Sequence, residues 1–202
     1  MLLAGLLLSL YFLLPKIIGE VTYPLAYDNL ILKYSKEHEV DPFLTAAVIY
    51  SESHYRPTAV SPSGALGLMQ MIPSTAAGIA RKQGITNFQP SDLFNPETSI
   101  NFGTFHLQGL EAVYDSNLDG VIAGYNGGNA VGFAYIRGQL GSVPSETQHY
   151  VVAVKSALSK YRQLYPDRLN PPTINIARAA NPAQQSLANS IISSVVSFLT
   201  KQ

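Results

Sequence analysis

Along the middle of this chain, apolar side chains recur at the three- and four-residue intervals of helices that bury one face. Leu30, Ile31 and Tyr34, with Val40 just beyond, mark a helix over Asp28 to Glu39, and Asp41-Pro42 then reads as an N-cap followed by proline at the first helical position. The second helix so predicted, Pro42 to about His54, has an apolar body of Phe43, Ala46, Ala47, Ile49 and Tyr50, with Glu52 in its last turn. Pro57 to Gly67 is rich in Pro, Ser and Gly, which predicts a loop or short irregular hairpin over that glutamate. A third helix starts at Pro73 or Ser74 and ends before Gly84, and Asn95-Pro96-Glu97 caps a long fourth that reaches about Tyr114. After a turn over Asp115 to Gly120, three more helical stretches follow: Leu118 to Tyr125, Ala130 to Gln139, and Ser145 to Tyr165 with Ser145 as N-cap and Glu146 in the first turn. The expected fold class is mainly α.

The two ends follow other patterns. Residues 1–20 are an N-terminal hydrophobic segment: Met1 to Leu14 is almost wholly apolar, and continuing through Ile17-Ile18 brings the run near the lower end of the ~17 to 25 residues that cross a bilayer. No Lys or Arg precedes the run and no small-x-small pattern follows it, which favours an uncleaved membrane anchor over a signal peptide, with a buried core helix as the third alternative. Residues 166–182, with Pro166, Pro171, Pro172 and Pro182, read as a linker. Residues 183–202 carry Leu187, Ile191, Ile192, Val195, Val196, Phe198 and Leu199 on an amphipathic helix with a serine-rich second face. That helix either docks on the parent domain or meets a membrane surface or a partner; it lacks the cationic face that anionic lipid would call for. Between the ends, residues 24–165 form the expected domain.

Composition narrows the function. A chain of 202 residues is long enough for one ordinary domain with short appendages. Its formal net charge is zero and no run of like charges occurs, so electrostatic capture of nucleic acid is disfavoured. There is no cysteine, which excludes disulfides and cysteine-ligated metal sites. His54, His106 and His149 share no metal-ligand spacing and read as structural or surface residues.

Glu52 is the residue with chemistry to offer. A lone acid walled by apolar and small residues keeps its proton near neutral pH, and the negative end of a helix dipole adds to that. Such an acid suits proton donation to a glycosidic oxygen; the plainer alternative is a surface glutamate at a helix end. Most glycosidases flank the scissile bond with two carboxylates. The other acids have simpler explanations, Asp41 as a cap, Asp28 and Glu37 on exposed helix faces, Asp115 and Asp119 in turns, so no nucleophile announces itself.

Glu52-Ser53, Ser61-Pro62, Gly64-Ala65, Gly67-Leu68-Met69-Gln70, Pro73 and Thr75-Ala76 come first along the chain. Tyr125-Asn126 between glycines, Pro144, Glu146-Thr147 and Tyr150-Val151 follow. In this order and spacing, over about residues 28 to 165, they resemble the soluble-type (SLT-domain, family 1) peptidoglycan lytic transglycosylases of the lysozyme-like superfamily. The resemblance implies a lysozyme-like helical domain that needs no cofactor or metal and cleaves the β-1,4 linkage between N-acetylmuramic acid and N-acetylglucosamine. Glu52 would act as acid and then base while the muramyl C6 hydroxyl attacks C1, leaving a 1,6-anhydromuramic end. It also implies saccharide contacts from Ser61, Gln70, Tyr125, Asn126, Glu146 and Tyr150. Tyr150 also reads as ordinary core, Glu146 as a first-turn dipole partner, Ser61 as a loop hydroxyl, and Met69 and Met71 as packing. Ile72, Gly124, Gly127 and Gln148 depart from the family's commonest residues. The implied setting is the cell envelope outside the cytoplasm, or a virion, with peptidoglycan strands as partner and the terminal helices meeting membrane or machinery. Two rival readings share the pattern: a goose-type lysozyme-like hydrolase that uses water, and a glycan-binding or assembly module without turnover.

Overall fold

The computed structural model describes residues 14–170. Residues 14–22 are helical (α1), followed by α2 (Asp28–Glu37), α3 (Pro42–Ser53), α4 (Pro73–Lys82), α5 (Pro96–Val113), α6 (Leu118–Gly127), α7 (Asn129–Ile136), α8 (Ser145–Leu164) and α9 (Pro166–Leu169). Short 3-10 turns at Pro90–Phe94 and Leu140–Ser142 complete the helical elements. The segment between α3 and α4 makes isolated antiparallel bridges, Val60 with Leu66 and Leu66 with Met71, the irregular hairpin foreseen near Glu52.

Local caps explain where the helices begin. Asp41 accepts from the Phe43 N–H at 2.9 Å and starts α3, and Asn95 Oδ1 accepts from Glu97 and Thr98 at 2.8 and 3.2 Å and starts α5. Ser145 is not a cap: it is the first helical residue of α8, and Pro144, whose ring suits an extended backbone there, occupies the cap position without a side-chain bond. His54 ends α3 in the left-handed conformation with φ 50°.

The middle of α3 is the centre of the core. Ala46, Ala47, Val48 and Ile49 are fully buried, where α8 lies against one side and α2 against another. A second apolar cluster, built on Met71, Ala76, Ile79, Leu93 and Phe102, sits under α4 and the Pro90–Phe94 turn. Tyr125 packs against both clusters and joins them. At Gly124 the Tyr114 ring occupies the space a side chain would need: an added Cβ would lie 2.6 Å from its hydroxyl oxygen.

The residues after Tyr165 do not lead away at once. Pro166–Leu169 is a helical turn whose Leu169 is buried in the main core and whose Arg168 pairs with Asp28 at 2.9 Å, so the first positions of the expected linker belong to the folded body. Tyr161 and Tyr165 donate to the carbonyls of Pro24 and Tyr23 at 2.7 and 2.8 Å, tying the entry segment to α8. Among the described residues no helix is long and apolar enough to cross a membrane. The apolar run over 1–13, the linker beyond 170 and the helix expected over 183–202 lie outside the described residues.

Candidate active site

Packing of α3 against α8 brings Glu52, in the last turn of one, to Tyr150, in the second turn of the other. The Tyr150 hydroxyl donates to Glu52 Oε1 at 2.6 Å, a short contact typical of bonds to a carboxylate. No protein group among the described residues hydrogen-bonds the other carboxyl oxygen, Oε2. Burial is the main influence on this acid and pushes it up to about 7; the Tyr150 bond pulls down by favouring the charged form, and the charge of Glu146 pushes up again. Burial, with the nearby Glu52 charge, likewise holds the Tyr150 phenol well above its ordinary value.

The facing wall is the loop Gly67–Met71. Gly67 has φ +79° and lies so close to Leu93 that an added Cβ would fall 2.0 Å from that carbonyl oxygen. Gln70 is also left-handed, with φ 46°, and its amide nitrogen donates to the Gly67 and Ala59 carbonyls at 2.9 and 3.1 Å, which leaves its amide oxygen for a ligand. Two further bonds fix the buried residue between them: the Tyr125 hydroxyl donates to the Met69 carbonyl at 2.8 Å, and the Met69 N–H donates to Ser99 Oγ at 3.2 Å. Met69 and Met71 are packed in the interior.

Glu52, Ser61 and Gln70 line two cavities at once. One, of about 450 Å³, continues along Arg56, Thr58, Ala59, Val60 and Pro62. The other, of about 380 Å³, continues along Ser63, Ala65, Ile72, Tyr125, Asn126, Gly127, Pro144, Glu146 and Thr147. The acid therefore sits between two openings, each within the size range of small-molecule sites. Ser61 is occupied locally: its hydroxyl accepts from the Ala65 N–H at 3.0 Å and shares a bond with Ser63 at 2.9 Å. Asn126 Oδ1 accepts from the Thr147 hydroxyl at 2.6 Å, and Glu146 is exposed on the cavity rim. All the residues singled out in the sequence except Tyr150 thus line these cavities, and Tyr150 reaches them through Glu52.

Sequence reasoning passed over Arg56, which lines the first cavity and which no sequence signal marks, since tertiary packing places it. His106, read as structural or surface, packs its ring against that of Tyr125 with centroids 5.4 Å apart. Burial lowers the affinity of His106 for a proton. Among the described residues no cluster of His, Cys, Asp or Glu could hold a metal ion. Chemically, the arrangement offers one carboxyl group that gains and loses its proton near neutral pH, a phenol to steady its charged form, and amide and hydroxyl groups on both sides.

The chain is similar to known proteins in both sequence and fold. Residues 29–139 match the family described as the Transglycosylase SLT domain. The chain is 33% identical over 154 residues to the soluble lytic murein transglycosylase of Salmonella typhimurium, a stretch that takes 71% of this chain and 24% of that protein. It is 33% identical over 160 residues to the protein of the same name from Escherichia coli strain K12, covering 74% of this chain and 25% of the relative. The crystal structure of the 70 kDa soluble lytic transglycosylase from E. coli aligns with TM-score 0.67 and 31% identity, over 75% of this chain and 26% of that one. A complex of the 70 kDa enzyme with bulgecin A gives TM-score 0.68 at 31% identity, over the same shares of the two chains. An inactive mutant of the Pseudomonas aeruginosa lytic transglycosylase Slt gives 0.64 at 25%, over 71% of this chain and 25% of that one. The chain spans about a quarter of the length of the curated relatives it matches.

Proposed function

This chain belongs to the SLT-domain transglycosylase family, and from that premise we propose that it cleaves peptidoglycan between N-acetylmuramic acid and N-acetylglucosamine by intramolecular transfer. The observation that carries the reading is the state and position of Glu52: a carboxyl raised to about 7, between two cavities, with Oε2 free of protein partners among the described residues. Glu52 gives its proton to the bridging oxygen as the C1–O bond breaks, and the leaving N-acetylglucosamine departs as an alcohol. The negative charge now on Glu52 is met by the Tyr150 hydroxyl, whose bond to Oε1 strengthens on ionisation. The muramyl C6 oxygen then bonds to C1 while its proton passes to Glu52, which restores the acid and leaves a 1,6-anhydro end. Held beside the cationic carbon in a cleft with little water, that hydroxyl outcompetes the solvent.

Ser61, Gln70, Tyr125, Asn126 and Glu146 shape the saccharide site in this reading. The free amide oxygen of Gln70 accepts from an N-acetyl N–H or a sugar hydroxyl. In this reading a peptidoglycan substrate means that the domain works outside the cytoplasm, with the hydrophobic segment over residues 1–20 as its tether to the membrane. Hydrolysis is the reading that Glu146 favours, because a second carboxylate in the same cavity could position water. Product mass separates the two. Fragments released from purified sacculi carry anhydro ends, lighter by one water than hydrolysed ends, if transfer is right; reducing ends alone make the protein a hydrolase, and no release by the folded chain makes it a binding module.

A further inference from the structure

The two cavities beside Glu52 differ in charge. On one side Glu146 is the charged lining residue besides Glu52; on the other it is Arg56. Arg56 follows the end of α3, and its Nε–H donates to the Ser53 carbonyl at 2.9 Å. That bond fixes the base of the guanidinium plane and leaves both terminal nitrogens without a hydrogen-bond partner among the described residues. Nor does a carboxylate among those residues pair with it, Glu52 included, although the two line the same cavity. A pre-oriented planar donor facing a cavity of about 450 Å³ is built to receive a planar anion.

We propose that this cavity seats a carboxylate of the stem peptide carried by a muramyl residue, held through the terminal nitrogens of Arg56. The inference rests on the glycan-cleavage reading above and adds the part of the strand that the Arg56 side selects. Peptidoglycan carries such carboxylates on its muramyl residues only, so one fixed cation distinguishes the two sugars of the repeat. Glu146 at the opposite opening repels the same group, and the two charges together give the strand a single direction across Glu52. Thr58 on the cavity wall offers a hydroxyl group to the peptide amides beside the carboxylate.

Binding tests this separately from turnover. In the Glu52→Gln background, glycan strands with intact stem peptides and the same strands with their carboxyl groups converted to amides by carbodiimide and ammonia are compared by equilibrium co-sedimentation. Strands with free carboxylates bind about tenfold more tightly at low salt, and the preference shrinks as salt rises. Adding Arg56→Gln collapses the preference, while Arg56→Lys, which keeps the charge and loses the fork, retains part of it. A purely structural role for the Ser53 bond would weaken both strands alike and leave their ratio unchanged. The inference is overturned if the parent shows no preference, or if Arg56→Gln keeps it within twofold. Absence of turnover by the wild-type chain would instead count against the cleavage reading.

Discussion

The two walls that face each other across Glu52 are held by different means. The acid rides on a helix whose core is packed solid, and its carboxyl has one side-chain partner, Tyr150. The Gln70 wall is a loop in left-handed backbone, fixed by hydrogen bonds to Ser99, Tyr125 and the carbonyls of Ala59 and Gly67. Packing sets where the acid stands; hydrogen bonding sets what it faces. The acid wall should therefore tolerate chemical change at Glu52 with its fold unharmed, whereas the loop wall should lose stability and ligand geometry together.

Glu52→Gln is the sharpest test of the first wall. It should slow release of muropeptides by about a thousandfold or more, with circular dichroism unchanged. Because burial holds the folded acid near 7 against an ordinary 4.5, the wild-type fold gives up stability as pH rises through that window. The Gln variant has no such loss, so at pH 8 it should melt above the wild type, with the gap closing below pH 4.5. Next in size is Gly67→Ala, which strains a φ of +79° and drives a methyl into the Leu93 carbonyl; urea unfolding should show a loss of about 3 kcal/mol. An unchanged midpoint would mean that the loop is not locked by that approach. Tyr125→Phe removes the bond to the Met69 carbonyl and the weaker contact with Met71 Sδ, and should cost about 1 kcal/mol, with KM rising more than kcat falls. The smallest expected effect is that of Tyr150→Phe. Losing a donor that favours the charged acid should move the alkaline limb of kcat/KM upward from about 7 by less than about one unit, and a downward move would reverse the role given to that hydroxyl.

The same contrast explains what the sequence made legible. Asp41-Pro42 and Asn95-Pro96 announce α3 and α5 because a cap and a helix start are settled within a few residues. Glu52 stood out because its neighbours along the chain are also its neighbours in the helix. Ser145 misled because Pro144 takes the cap, and the prolines from Pro166 onward suggested a linker although Leu169 turns back into the core. The Pro90–Phe94 turn carries no periodicity; its Leu93 is buried in the cluster of Met71, Ala76, Ile79 and Phe102. The Tyr125 hydroxyl was expected to contact the saccharide, and its bond goes to the Met69 carbonyl, a partner that depends on the meeting of α6 and the loop. Arg56 was unreadable for the same reason.

Tyr125 touches both apolar clusters and also steadies the loop that bears Gln70. Heat that parts the clusters must therefore loosen the cleft at the same moment, with no separate softening beforehand. Ligand retention after warming becomes a thermometer for the whole domain.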